Sequence, residues 1–123
     1  MLQMACANGY LDVFTYLYRQ GLSLGDIRSN DNFAFRRACQ NGHLDVVRYL
    51  VDQGLSLDDI RSKDNYALRY ASQNGHIDIV QFLFDVGLSC IDIRSKNYSA
   101  LRNSSKNKHE NISILLETKL KID

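Results

Sequence analysis

Tyr66-Ala67-Leu68-Arg69-Tyr70-Ala71-Ser72-Gln73-Asn74-Gly75-His76 runs directly into Ile77-Asp78-Ile79-Val80-Gln81-Phe82-Leu83-Phe84-Asp85-Val86-Gly87. In the first stretch Ala67, Leu68, Ala71 and Ser72 are spaced i, i+1, i+4, i+5 with polar residues between, which predicts a short helix with one small-residue face. Alanine at 67 and 71 lets a neighbouring helix come close. Asn74-Gly75 ends that helix, because glycine accepts the left-handed conformation a helix terminus requires. His76 falls in the turn. Asp78 falls in the first turn of the next helix, where a negative charge is favoured. Ile77, Val80, Leu83 and Phe84 then give an i, i+3, i+6, i+7 apolar stripe, Gly87 closes the helix, and Leu88 and Ile93 are apolar anchors beyond it. Neither helix reaches the ~12–15 residues that an isolated helix needs. The pair must lean on neighbours.

Those neighbours are written into the chain. Gly9, Gly42 and Gly75 recur at a step of 33 residues, as do Gly21, Gly54 and Gly87, then Asp26, Asp59 and Asp92, and the run Ile-Arg-Ser from Ile27, Ile60 and Ile93. Residues 28–60 and 61–93 agree at 20 of 33 positions without an insertion. Such a period means one supersecondary unit stacked in line, each burying its apolar face on the next. The reading is a single array over 1–123: a partial first unit at 1–27, full units at 28–60 and 61–93, and a degenerate capping unit at 94–123. Met1 aligns with Ala34 and Ala67, inside a first helix, so the array opens on half a unit or continues a longer one. At the other end Lys108 stands in a glycine slot, and Ser104 and Ser105 stand where alanine or cysteine is expected. Polar groups on the outer side of a last unit suit a solubilising cap.

The bulk numbers fit a globular chain, with 45% apolar and 24% charged residues. No run of ~18 apolar residues predicts a membrane span, and no basic, then apolar, leader follows Met1. Net charge is +1; residues 1–27, 28–60 and 61–93 each sum to −1 and 94–123 to +4. Near-neutral central units argue against nucleic acid, whose phosphates need a basic stripe along the array. Lys106, Lys108, Lys119 and Lys121 read as a solvated end. Cys6 and Cys39 occupy one repeat position and so lie about one helix-packing distance apart, ~8–10 Å, beyond disulfide reach. They and Cys90 are expected as reduced, buried residues of an intracellular protein.

The helix–Asn-Gly-His–helix junction at Asn41-Gly42-His43 and Asn74-Gly75-His76, the Val46-Val47 and Ile79-Val80 pairs and the 33-residue length together make the chain resemble ankyrin repeats over essentially its whole extent. The resemblance implies an all-α solenoid of stacked helix-turn-helix units with short loops or hairpins between them. The family usually opens its first helix with Thr-Pro-Leu-His. Here that slot reads Phe33-Ala34-Phe35-Arg36, Tyr66-Ala67-Leu68-Arg69 and Ser99-Ala100-Leu101-Arg102, and the chain holds no proline. Arg36, Arg69 and Arg102 are expected to hydrogen-bond backbone carbonyls of the preceding turn. This Ala-Leu-Arg variant resembles ankyrin arrays of giant DNA viruses of amoebae, which would place the protein in the host cytoplasm.

Little here carries chemistry. His43, His76 and His109 lie one unit apart, too far to share a metal ion, and turn or capping roles are expected of them. There is no phosphate loop. Almost every polar residue has an equivalent one unit away, whereas a catalytic residue is a single special position, so no enzyme, cofactor or metal is expected. Arg28, Arg61 and Arg94 follow Asp26, Asp59 and Asp92 by two residues, which in an extended segment share a face, and a structural charge ladder is expected.

What remains is the concave face that the resemblance implies for recognition. By position it comprises Ser29, Asn30, Asn32, Arg37, Gln40 and Asn41, then Ser62, Lys63, Asn65, Tyr70, Gln73 and Asn74, then Ser95, Lys96, Tyr98 and Asn103. These positions vary more than the framework does: Arg37 becomes Tyr70 and then Asn103. Arg37, Tyr70 and Tyr98 are the expected anchors, since aromatics and arginine dominate interface hot spots. The reading is a non-catalytic scaffold for a protein partner, monomeric, with no nucleic-acid or membrane partner. The alternative is a structural or vestigial fragment of a longer array, self-associating through Leu2 and Met4 of the incomplete first unit.

Overall fold

The computed structural model describes residues 23–122, together with Asn8, Gly9, Leu11, Arg19 and Gly21. Expectations for Leu2, Met4 and Cys6 fall on residues outside that set. The described elements are all helices: α1 (Leu24–Gln40), α2 (Leu44–Asp52), α3 (Leu57–Ile60), α4 (Ser62–Gln73), α5 (Ile77–Val86), α6 (Cys90–Ile93), α7 (Ser95–Lys106) and α8 (Glu110–Ile122). They form helix pairs α1/α2, α4/α5 and α7/α8, with the one-turn helices α3 and α6 in the connections. Among the described residues the connections hold no strand, so the units are joined without hairpins.

Each connection opens with a serine and an aspartate three residues on. Ser23 and Asp26, and Ser56 and Asp59, close capping boxes in which the Asp carboxylate accepts the Ser backbone N–H and the Ser hydroxyl accepts the Asp N–H. Beyond that turn the backbone reverses hand. Asn30, Asp31 and Asn32 take φ of 57, 56 and 61°, and Lys63 to Asn65 and Lys96 to Tyr98 repeat the conformation. Each group is close to one turn of left-handed helix. Left-handed residues cost roughly 1–2 kcal/mol each outside glycine, so the turn needs support. Arg36 supplies it. Its Nε donates to the Asp31 carbonyl at 2.9 Å and Nη2 to the Asn30 carbonyl at 3.1 Å. Arg69 does the same for Asp64 and Lys63, and Arg102 for Asn97 and Lys96. The arginine ladder expected from the Ala-Leu-Arg slot is therefore present, and what it holds is a left-handed turn.

The core is periodic. Ile27, Ile60 and Ile93; Ala34, Ala67 and Ala100; Val46 and Ile79; and Leu50, Leu83 and Leu116 are all buried. The second-helix stripe is buried as expected at Val80, Leu83 and Phe84, but its fourth buried position is Ile79, with Ile77 half-buried. Cys39 and Cys90 are buried, and burial pushes the Cys39 thiol well up. Ser104 corrects the expected cap. It does not face outward but is fully buried, its Oγ 2.9 Å from Ser113 Oγ inside the last helix pair, while Ser105 is exposed and also reaches Ser113. The last pair closes on itself through hydroxyls where other pairs use alanine.

Candidate functional site

The first helices of successive pairs, together with the turns before them, pack along the whole stack, while contacts between successive second helices are sparser. Small residues explain the difference: Ala34, Ala38, Ala67 and Ala71 let first helices approach, whereas valine, leucine and phenylalanine separate the second helices. Closer approach on one side bends the array toward it. The face presented by the first helices is thus the inner one.

Several expected site residues hold the stack together. Asn32 and Asn65 are buried and donate to the capping carboxylates of the following connections, Asp59 Oδ1 in α3 and Asp92 Oδ1 in α6, each at 3.1 Å. The Gln40 carbonyl accepts the Asn74 amide at 3.0 Å and lies 2.9 Å from His76 Nε2. Its side-chain oxygen accepts the Tyr66 hydroxyl. Gln73 stands in the same relation to the last unit, its Oε1 accepting from Asn103 and its carbonyl from Asn107. Ser95 donates to the Asp64 carbonyl, and Ser29 to that of Asp26. Asn41 caps the end of α1 and is exposed.

The other expected residues are exposed or half-buried. Asn30 is exposed at the tip of the left-handed turn, and the half-buried Ser62 has a hydroxyl oxygen with no hydrogen-bond partner. Lys63 and Lys96 are exposed, each with Nζ 3.4 Å from an acid of the preceding unit, Asp31 and Asp64. Tyr98 is 38% exposed. Tyr70 is half-buried with its ring centroid 4.3 Å from that of Tyr66. Arg37 lies 5.7 Å over the Phe33 ring, and its Nε is buried without a hydrogen-bond partner. The face is completed by Phe33, Tyr66 and Arg36, whose guanidinium sits 5.6 Å from the Phe33 centroid and 4.8 Å from that of Tyr66. Phe33 and Tyr66 precede the small-residue stripe by one position, and that i−1 placement was the available signal for them.

The charge ladder pairs differently from expectation. Arg28 meets Asp59, not Asp26, with Nε 3.0 Å from Oδ2, and Arg61 meets Asp92. Asp26 is held by Ser23, whose backbone N–H and hydroxyl lower its carboxyl. The aspartates sit in a helical turn rather than an extended segment, so the two-residue spacing does not put acid and base on one face.

The histidines serve the turns. A Cβ added to Gly42 would lie 2.7 Å from His76 Cε1, and Gly9 and Gly75 meet His43 and His109 in the same way. Each imidazole fills the space left by the glycine of the preceding unit. No side-chain cap bond forms at His43 or His76. Among the described residues no three His, Cys, Asp or Glu side chains converge on a metal site, and no helix is long and apolar enough to cross a membrane.

The sequence model of a family described as ankyrin repeats (3 copies) matches residues 2–97. No curated protein matches the chain. Among solved structures, a chain in the crystal structure of the yeast ribosomal protein Rps3 in complex with its chaperone Yar1 superposes with a TM-score of 0.81 at 23% identity, covering 99% of this chain and 92% of that one. At that identity the likeness is one of fold.

Proposed function

Since the chain belongs to the ankyrin-repeat family, we propose that it is a non-catalytic scaffold that docks a protein partner on the face of its first helices. The observation that carries this reading is the behaviour of one position. Arg37, Tyr70 and Asn103 stand at the same step on that face, half-buried, and differ in every unit, while the core beneath them repeats. A half-buried aromatic and an arginine on a rigid helical support match the composition of interface anchors. The solved structure of similar fold is itself a complex between one protein and its chaperone, an arrangement in keeping with protein docking. The buried free thiol of Cys39 suits a reducing, intracellular setting.

Selection of ligands from a random-peptide display library tests the proposal. Peptides recovered on the wild-type chain should lose binding when Arg37→Ala and Tyr70→Ala are combined. Retention at wild-type affinity by the folded double variant overturns it.

A further inference from the structure

Charge is partitioned across the stack in a way that the near-neutral units conceal. The first-helix stretches 33–40, 66–73 and 99–106 contain Arg36, Arg37, Arg69, Arg102 and Lys106 and no acid. The second helices α2, α5 and α8 hold six acids against three cations. None of the five inner cations forms an ion pair among the described residues. Arg36, Arg69 and Arg102 donate to carbonyls, which leaves their positive charge uncompensated. Arg37 keeps a buried Nε without an acceptor. At the rim the lysines are already neutralised, Lys63 by Asp31 and Lys96 by Asp64. The inner face is therefore a cationic surface set with aromatic rings, bordered by a neutral edge and backed by an acidic one.

We infer that the partner segment received on this face is acidic: a peptide stretch of Asp or Glu interleaved with apolar side chains. This rests on the proposed docking face and names the chemistry of its occupant. Carboxylates would take the guanidinium of Arg37 and the ammonium of Lys106, and apolar side chains would lie on Phe33, Tyr66 and Tyr70. Complementary potentials of this kind steer encounter and set specificity. A phosphate backbone fits less well, because it needs an unbroken basic track. Here Arg36, Arg69 and Arg102 are committed to backbone carbonyls, and the lysines and arginines beside them are already paired with Asp31, Asp59, Asp64 and Asp92.

Fluorescence anisotropy with three labelled probes decides it: a Glu/Leu peptide, its Lys/Leu counterpart and a thymidine oligonucleotide. The Glu/Leu peptide should bind, weaken as salt is raised, and lose about tenfold in affinity to Arg37→Glu with Lys106→Glu. The milder Arg37→Gln with Lys106→Gln serves if circular dichroism shows the reversal unfolded. Absence of Glu/Leu binding, equal or tighter binding of the Lys/Leu peptide or the oligonucleotide, or affinity unmoved in the folded variants overturns the inference. The display selection separates this from the parent proposal. Neutral or basic selected peptides that still need Arg37 and Tyr70 leave the docking face standing and remove its acidic occupant. Selected peptides indifferent to both residues remove the two together.

Discussion

Arg61, just before α4, grips Asp92 of the one-turn helix α6 at two points, Nε 2.7 Å from Oδ1 and Nη2 3.2 Å from Oδ2, with the carboxylate only 2% exposed. The same carboxylate accepts the Ser89 backbone N–H at 2.9 Å and the Asn65 amide at 3.1 Å. Its hydrogen bond raises the Arg61 guanidinium above its ordinary value. One aspartate thus caps its own helical turn and ties down the left-handed turn that opens α4.

Removing the base should therefore cost more here than at the equivalent pair. Arg61→Ala leaves a buried carboxylate without its cation, and a loss of about 2–3 kcal/mol is expected, at or below the range for a fully buried pair because the Arg61 side chain is 38% exposed. Arg28→Ala should cost about 1 kcal/mol or less, because the Arg28 and Asp59 side chains are 41% and 12% exposed. Urea titration of the two variants measures the difference, and equal midpoints would contradict it.

Asp59 sets a pH dependence. Burial raises its carboxyl, but the Ser56 backbone N–H, the Asn32 amide, the Ser56 hydroxyl and the Arg28 guanidinium together outweigh that and hold it below its ordinary value. A carboxyl depressed in the folded state contributes stability that is fully present above its unfolded value, about 3.9. That stability drains away as pH falls through the folded value. Thermal melts from neutral pH downward should show a loss setting in below about pH 4, and Asp59→Asn should flatten that slope. An unchanged slope in the variant would show the carboxyl to be unperturbed.

Gly42 is confined twice over, by φ of +82° and by the His76 ring against its Cα. Gly42→Ala should cost about 2–3 kcal/mol, more than the backbone strain of roughly 1–2 kcal/mol alone. Gly21→Ala, with no described residue within 4 Å of the new methyl, should show the backbone part only. In a double-mutant cycle His76→Ala should recover part of the Gly42→Ala loss, and strict additivity would rule out the ring contact as its source.

Lys108 takes φ of +64° where the other units place glycine. Lys108→Gly relieves the strained backbone and should raise stability by about 0.5–1 kcal/mol after the entropy of the unfolded glycine is subtracted. A calorimetric melt at or below the wild-type temperature would mean that the Lys108 side chain supplies contacts worth more than the strain.

The periodic apolar residues, the glycine stops and the first-helix arginines were legible from one dimension. A 33-residue step assigns Ile27, Ile60 and Ile93, or Ala34, Ala67 and Ala100, to equivalent places whatever the coordinates are. The fork of Arg36 onto nearby carbonyls is a local contact across five and six residues. The left-handed turns were not legible, because Lys63, Lys96 and Tyr98 are not residues that choose that conformation; the arginine clamp imposes it on them. Nor was the division of the inner face. Asn32, Asn65, Gln40, Gln73, Asn74 and Asn103 are engaged by the adjoining connection or helix pair, while Arg37, Tyr70 and Tyr98 keep groups turned to the surface.

By itself the amino-acid order determined the unit, its length, its helices and the list of residues that must be buried, since all of these follow from spacing along the chain. Only the stacked structure decided whether Arg28 meets Asp26 two residues away or Asp59 thirty-one away. Periodicity makes the two candidates chemically identical, and the choice between them rests on the distance that stacking sets.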